Sequence, residues 1–146
     1  MRSVLARLLL PLLFLLCPLG ATGQAPTPLP EGEARQIRDV IQAQLDAFQR
    51  DDGAAAFALA TPGIRATFGN ADTFMQMVKT SYAVVYRPKT VEFGAAMQVD
   101  GAVVQPVRLT DDEGRAWLAL YPMEKQPGGE WRTAGCQLSR LAGTTT

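Results

Sequence analysis

"TVEFGAAMQVDGAVVQPVRLT", Thr90 to Thr110, decides the fold by parity. Val91, Phe93, Ala95 and Met97 alternate with other residues before Asp100-Gly101, and Val103, Val107 and Leu109 alternate after it. Period two means strands, and Asp-Gly between two such runs is a hairpin signal. Both apolar sets are odd-numbered, so they share an inner face only if the loop has an odd number of residues. A three-residue loop Val99-Asp100-Gly101, with Gly101 left-handed, meets that condition and sets Phe93 opposite Val107 and Ala95 opposite Gln105. Pro106 is the discordant residue: inside a strand it removes a ladder hydrogen bond and signals an edge or a bulge, and a bulge there turns Gln105 outward.

Working downstream, the same loop at Asp112-Glu113-Gly114 sets Leu109 opposite Trp117, Val107 opposite Ala119 and Gln105 opposite Tyr121. A two-residue Pro127-Gly128 turn then brings Ala119 opposite Cys136 and Trp117 opposite Leu138, so that Cys136 faces inward. "YAVVYR", Tyr82 to Arg87, reads as a further strand.

Upstream the period changes to that of a helix. From Glu33 to Arg50, Ile37, Val40, Ile41, Leu45 and Phe48 share one side while Arg38, Asp39, Asp46 and Arg50 share the other. "AAAFALAT" is a short second helix stopped by Pro62 and Gly63, and Asn70 caps a third, "ADTFMQMVKTSY", whose Phe74, Met77 and Val78 share a face. Helices followed by an antiparallel meander predict an α+β domain, with the helices on one face of a curved antiparallel sheet of four to five strands.

The domain is expected to span residues 33–141, with a tail at 142–146 and an extended Pro-rich linker at 24–32, where Pro26, Pro28 and Pro30 fall. Residues 1–23 read as a secretory signal peptide: Arg2 and Arg7, an apolar run from Leu8 to Leu16, then Ala21 and Gly23 before a cleavage site. The run is too short to span a membrane, which places the mature chain in the periplasm or outside the cell. Cys17, between Leu16 and Pro18, lacks the small preceding residue of a lipid-anchored leader.

Of 14 basic residues two lie in that leader, against 14 acidic ones elsewhere. A faintly acidic chain with no basic cluster excludes nucleic acid as a partner. There is no histidine, which removes the usual general base, the Ser-His and Cys-His nucleophiles and the commonest metal ligand. One cysteine outside the leader assembles no zinc site and no internal disulfide, so neither metal nor cofactor is expected. Asp111, Asp112 and Glu113 read as a solvated turn, and Gly128-Gly129 as a hairpin, with no phosphate loop present.

Two uncharged amides interrupt apolar faces. Gln44 falls at the centre of the first helix's buried stripe, and Gln105 lies among Val103, Val107 and Leu109. A buried amide needs partners. Either the two bond within a closed core, or they and Tyr121 anchor a ligand in a pocket between the first helix and the sheet, walled by Phe48, Phe93 and Cys136. Among apolar neighbours Cys136 is expected to be inert, its pKa raised.

"TPGIRATFGNADTFMQMV" followed by a meander ending in "WRTAGCQL" resembles a family of small exported bacterial proteins known as domain of unknown function 4864, from about Glu33 to Leu141. The order of elements is also similar to the nuclear-transport-factor-two superfamily, whose cone encloses a pocket between its first helix and its sheet. That likeness implies a pocket Asp with His or Tyr partners in the enzymes. Here there is no His, and Asp46 falls on the polar side of its helix. Tyr82, Tyr86 and Tyr121 remain as hydroxyl donors without a placed base, which points to binding of a small amphipathic molecule instead of turnover. The alternatives are a protein-interaction module or homodimer using the outer sheet face with Glu92, Gln98, Arg108, Leu118 and Leu120, and an isomerase- or hydrolase-type enzyme.

Overall fold

The computed structural model describes residues 23–143, so the expected leader up to residue 22 and the last residues of the tail lie outside the described residues. Helix α1 spans Glu31–Gln49, two residues ahead of the expected start. Pro30 precedes it with φ already near the helical value, and Glu31 and Glu33 place negative charge at the positive end of the helix dipole. Ile37, Ile41, Leu45 and Phe48 are almost wholly buried, each contributing about 1.5–3 kcal/mol of burial before entropy is counted. Asp51, at φ 55°, ends the helix in the left-handed region.

Helix α2 is Gly53–Ala58, with Asp52 Oδ1 accepting from Ala55 N at its start. Pro62 and Gly63 do not stop the helical region: α3 runs Pro62–Phe68. Thr61 Oγ1 accepts from Ile64 N, and Pro62 occupies the first turn, where its missing N–H costs nothing. Helix α4, Ala71–Ser81, is capped by Asn70 as its sequence requires, Oδ1 accepting from Thr73 N at 2.8 Å. The expected strand at Tyr82–Arg87 is a single helical turn, α5, Ala83–Tyr86. Val84 and Val85 are both buried there. In a strand they would point to opposite faces, so tertiary packing overrides their β-branched preference.

The strands are β1 Thr27–Pro28, β2 Thr90–Phe93, β3 Met97–Val99, β4 Ala102–Thr110, β5 Ala116–Lys125, β6 Trp131–Thr133 and β7 Gln137–Arg140. They form one antiparallel sheet in which β2 and β3 flank one side of β4, β5 the other, and β6 and β7 flank β5. The linker is therefore partly built in, with Thr27 opposite Gln98 and Leu29 N donating to Ala96 O.

The parity argument holds at Phe93, which pairs with Val107, but the chain reaches that offset by another route. The turn is two residues long, Asp100 and Gly101 both at positive φ (49° and 81°), and it pairs Val99 with Ala102. An irregular stretch at Gly94–Ala96 then restores the shift, so Ala95 is not paired with Gln105 and Met97 sits opposite Val104 instead of Val103. The bulge meets Pro106 from the partner strand: Gly94 N donates to Pro106 O, the proline keeps its place in β4, and Gln105 stays inward.

Across β4 and β5 the register is as expected, Leu109 with Trp117, Val107 with Ala119 and Gln105 with Tyr121. The last pairing is not. The loop closes from Gln126 to Glu130 with Gly129 at φ 95°, and Ala134–Cys136 bulges out of the ladder with Gly135 at φ 134°. Ala119 consequently faces Leu138, not Cys136, and Trp117 faces Arg140. The core lies between the helices and the inner face carried by Val107, Leu109, Ala119, Tyr121 and Met123. Val104, Pro106, Leu118, Leu120 and Pro122 occupy the opposite face.

Candidate functional site

A cavity of about 150 Å³ lies between the C-terminal half of α1, helices α3 and α4, and the β5–β6 end of the sheet. Its walls are predominantly apolar. Phe74 anchors an aromatic cluster with ring centroids 6.1 Å from Phe48, 5.4 Å from Phe57 and 5.7 Å from Phe68. Ile64, Met77 and Val78 extend the wall, and no charged side chain lines it among the described residues.

Gln44 reaches the cavity because the first helix's stripe carries it there. It is 4% exposed, and its Nε2 donates to Ala56 O at 3.0 Å and to Thr133 Oγ1 at 3.1 Å. Both bonds use the nitrogen, so the amide ties α1 to α2 and β6 while Oε1 remains available as an acceptor. Thr133 also exchanges backbone bonds with Leu59 and Thr61, which fixes this end of β6 against the helical layer. Tyr121, projecting from β5, is 2% exposed, and its hydroxyl is buried with no oxygen or nitrogen partner, the weakly bonding Cys136 thiol lying beside it. Leaving such a group unpaired costs about 1–3 kcal/mol. Burial drives its pKa well above the usual phenol value, with the neighbouring Cys136 adding to the rise.

Cys136 lines the cavity from the bulge, not from the paired position expected for it. Burial pushes its thiol up to about 12, the Tyr121 hydroxyl acting weakly the other way. At neutral pH it is a thiol and not a nucleophile. Its carbonyl accepts from Tyr82 Oη at 3.1 Å, and Tyr82 and Cys136 together separate the cavity from an outer groove containing Trp117, Gln137 and Leu138.

Of the six expected pocket residues the structure brings together Gln44, Phe48, Tyr121 and Cys136. Phe93 and Gln105 lie elsewhere. Phe93 belongs to β2, on the far side of β4 from β5, and packs against the core beside Val107. Gln105 is fully buried under the β2–β3 bulge, where Nε2 donates to Gly94 O and Pro106 O, both at 2.8 Å. It seals a defect in the sheet. Ile64, Phe68 and Thr133 were not among the sequence-derived candidates. The Thr61-Pro62 cap signal would have revealed α3 and, with it, the first two.

The charged groups gather away from the cavity. Asp111 accepts from Trp117 Nε1, Arg115 Nε and two backbone N–H groups at the β4–β5 turn, and the Trp117 bond in particular holds its carboxyl far below the usual range. Asp51 meets Tyr86, Lys79 and Arg87 at the end of α1, its pKa lowered chiefly by the Tyr86 hydroxyl. Among the described residues no group of His, Cys, Asp and Glu is placed to hold a metal, and no helix is long and apolar enough to cross a membrane. Comparison with curated proteins and with solved structures returns no match. The family model of a domain of unknown function, DUF4864, matches residues 30–146, and the chain belongs to that family.

Proposed function

We propose that this chain is an exported, non-catalytic binding domain of nuclear-transport-factor-two-like architecture that holds a small amphipathic molecule between α1 and the sheet. The observation carrying the reading is the Tyr121 hydroxyl, fully buried at a cavity wall with only the Cys136 thiol, a weak hydrogen-bonding group, beside it inside the protein. A closed core would be expected to satisfy that hydroxyl or replace it. Turnover finds no support: the cavity lining offers no carboxylate, and its single thiol is held protonated. Native mass spectrometry of protein purified gently from the exported fraction tests the reading. A retained small molecule lost on Tyr121→Phe or on filling the cavity by Met77→Trp is the expected result, and protein of bare-chain mass from every preparation would count against it.

A second reading has its own observation. Val104, Pro106, Leu118, Leu120 and Pro122 form a continuous apolar strip on the outer sheet face, bordered by Arg108 and Glu92 as a cross-strand pair. Such a strip suits a homodimer or a protein partner. Light scattering across a concentration series should show a dimer that Leu120→Lys dissociates.

A further inference from the structure

Resting on the cavity-binding reading above, we infer the ligand's chemical class: an uncharged, hydroxyl-bearing ring compound of phenol size. Volume sets the first limit. A cavity of about 150 Å³ accommodates a single six-membered ring and is too small to enclose a fused polycycle. The aromatic cluster around Phe74 supplies edges and faces against which a flat ring packs at ordinary centroid spacings.

Charge sets the second limit. No Lys, Arg, Asp or Glu lines the cavity among the described residues, so a carboxylate, phosphate or ammonium entering it would lose its hydration without gaining a counter-charge. The polar groups set the third. Tyr121 Oη has only the weakly bonding Cys136 thiol beside it, and Gln44, with Nε2 already donating to Ala56 and Thr133, keeps Oε1 as an acceptor. A ligand hydroxyl answers both, accepting from Tyr121 and donating to Gln44, where a ketone or ether oxygen answers only the first.

The test titrates full-length mature protein with phenol, toluene and benzoate at neutral pH, following the methyl resonances of Met77 and Val78 by NMR. Phenol should bind about tenfold more tightly than toluene, and benzoate should not bind. In Tyr121→Phe, a near-isosteric change, the phenol advantage should shrink to about twofold or less while toluene affinity is kept. Toluene binding as tightly as phenol, or benzoate competing with it, would overturn the hydroxyl assignment and leave the cavity as a binding site. If neither neutral ring shifts these methyls in the unmodified protein, the binding reading falls together with the ligand class.

Discussion

Gln44 and Gln105 look alike in sequence, each a lone amide on an apolar face, yet the fold uses them differently. Gln105 donates to Gly94 O, which the bulge leaves without a ladder partner, and to Pro106 O, which also accepts from Gly94 N. Gln105→Leu keeps the volume and removes a buried Oε1 that has no partner, but it strands Gly94 O, so unfolding in urea should show a net loss of about 1 kcal/mol with an unchanged m-value. Cys136 gives a second residue-scale outcome. With its pKa at about 12, its labelling by a disulfide reagent at pH 7 should be on the order of a thousandfold slower than that of an ordinary thiol and should accelerate with pH. Labelling at the rate of a free thiol would show that the bulge opens. That the Cys136 thiol is buried with a raised pKa was legible from the apolar residues expected around it; that it sits in a bulge was not, because Gly135 signals backbone freedom without saying how the freedom is used.

The elements that sequence marked with a cap or a strong period are present; of those it missed, α3 carries a local signal in Thr61 and Pro62, whereas α5 depends on non-local packing. Asn70 before α4 and Thr61 before α3 are equivalent caps, each side-chain oxygen accepting from the N–H three residues on. Asn70→Ala and Thr61→Ala should each cost about 1 kcal/mol in chemical denaturation. Only the Thr61 change should also disturb the cavity, since α3 supplies Ile64 and Phe68. The single turn α5 has no cap and few residues, and its buried valines form a helix because the space between α4 and β4 demands both. The β4–β5 register and the Phe93–Val107 offset followed from side-chain parity, but each bulged strand, β2–β3 and β6–β7, contains a compensating irregularity that parity alone does not locate.

For the molecule as a whole, the shifted groups define a window of pH stability. Asp111 and Asp51 have lowered pKa values in the fold, so the stability they contribute is present above the unfolded carboxylate value, about 4, and is lost as pH falls below it. Cys136 and Tyr121 have raised values, so above about pH 9 to 10 the unfolded chain releases protons that the folded chain retains. Stability then falls by about 1.4 kcal/mol per pH unit for each group. Thermal midpoints should be level between about pH 5 and 8 and drop on both sides, and Cys136→Ala should flatten the alkaline slope. A midpoint still rising at pH 10 would contradict the buried state of both groups.

The sequence by itself determined the α+β class, the buried stripe of α1, the inner face of β4 and β5 and the absence of histidine chemistry, because each depends on local period or composition. Only the tertiary structure decided that the cavity lies at the β5–β6 end and not beside Phe93, that Gln105 seals a bulge, and that a helix begun at Pro62 walls the cavity. Those outcomes depend on which irregularities satisfy backbone groups and which side chains fill the remaining volume, quantities that exist only once distant segments are packed together.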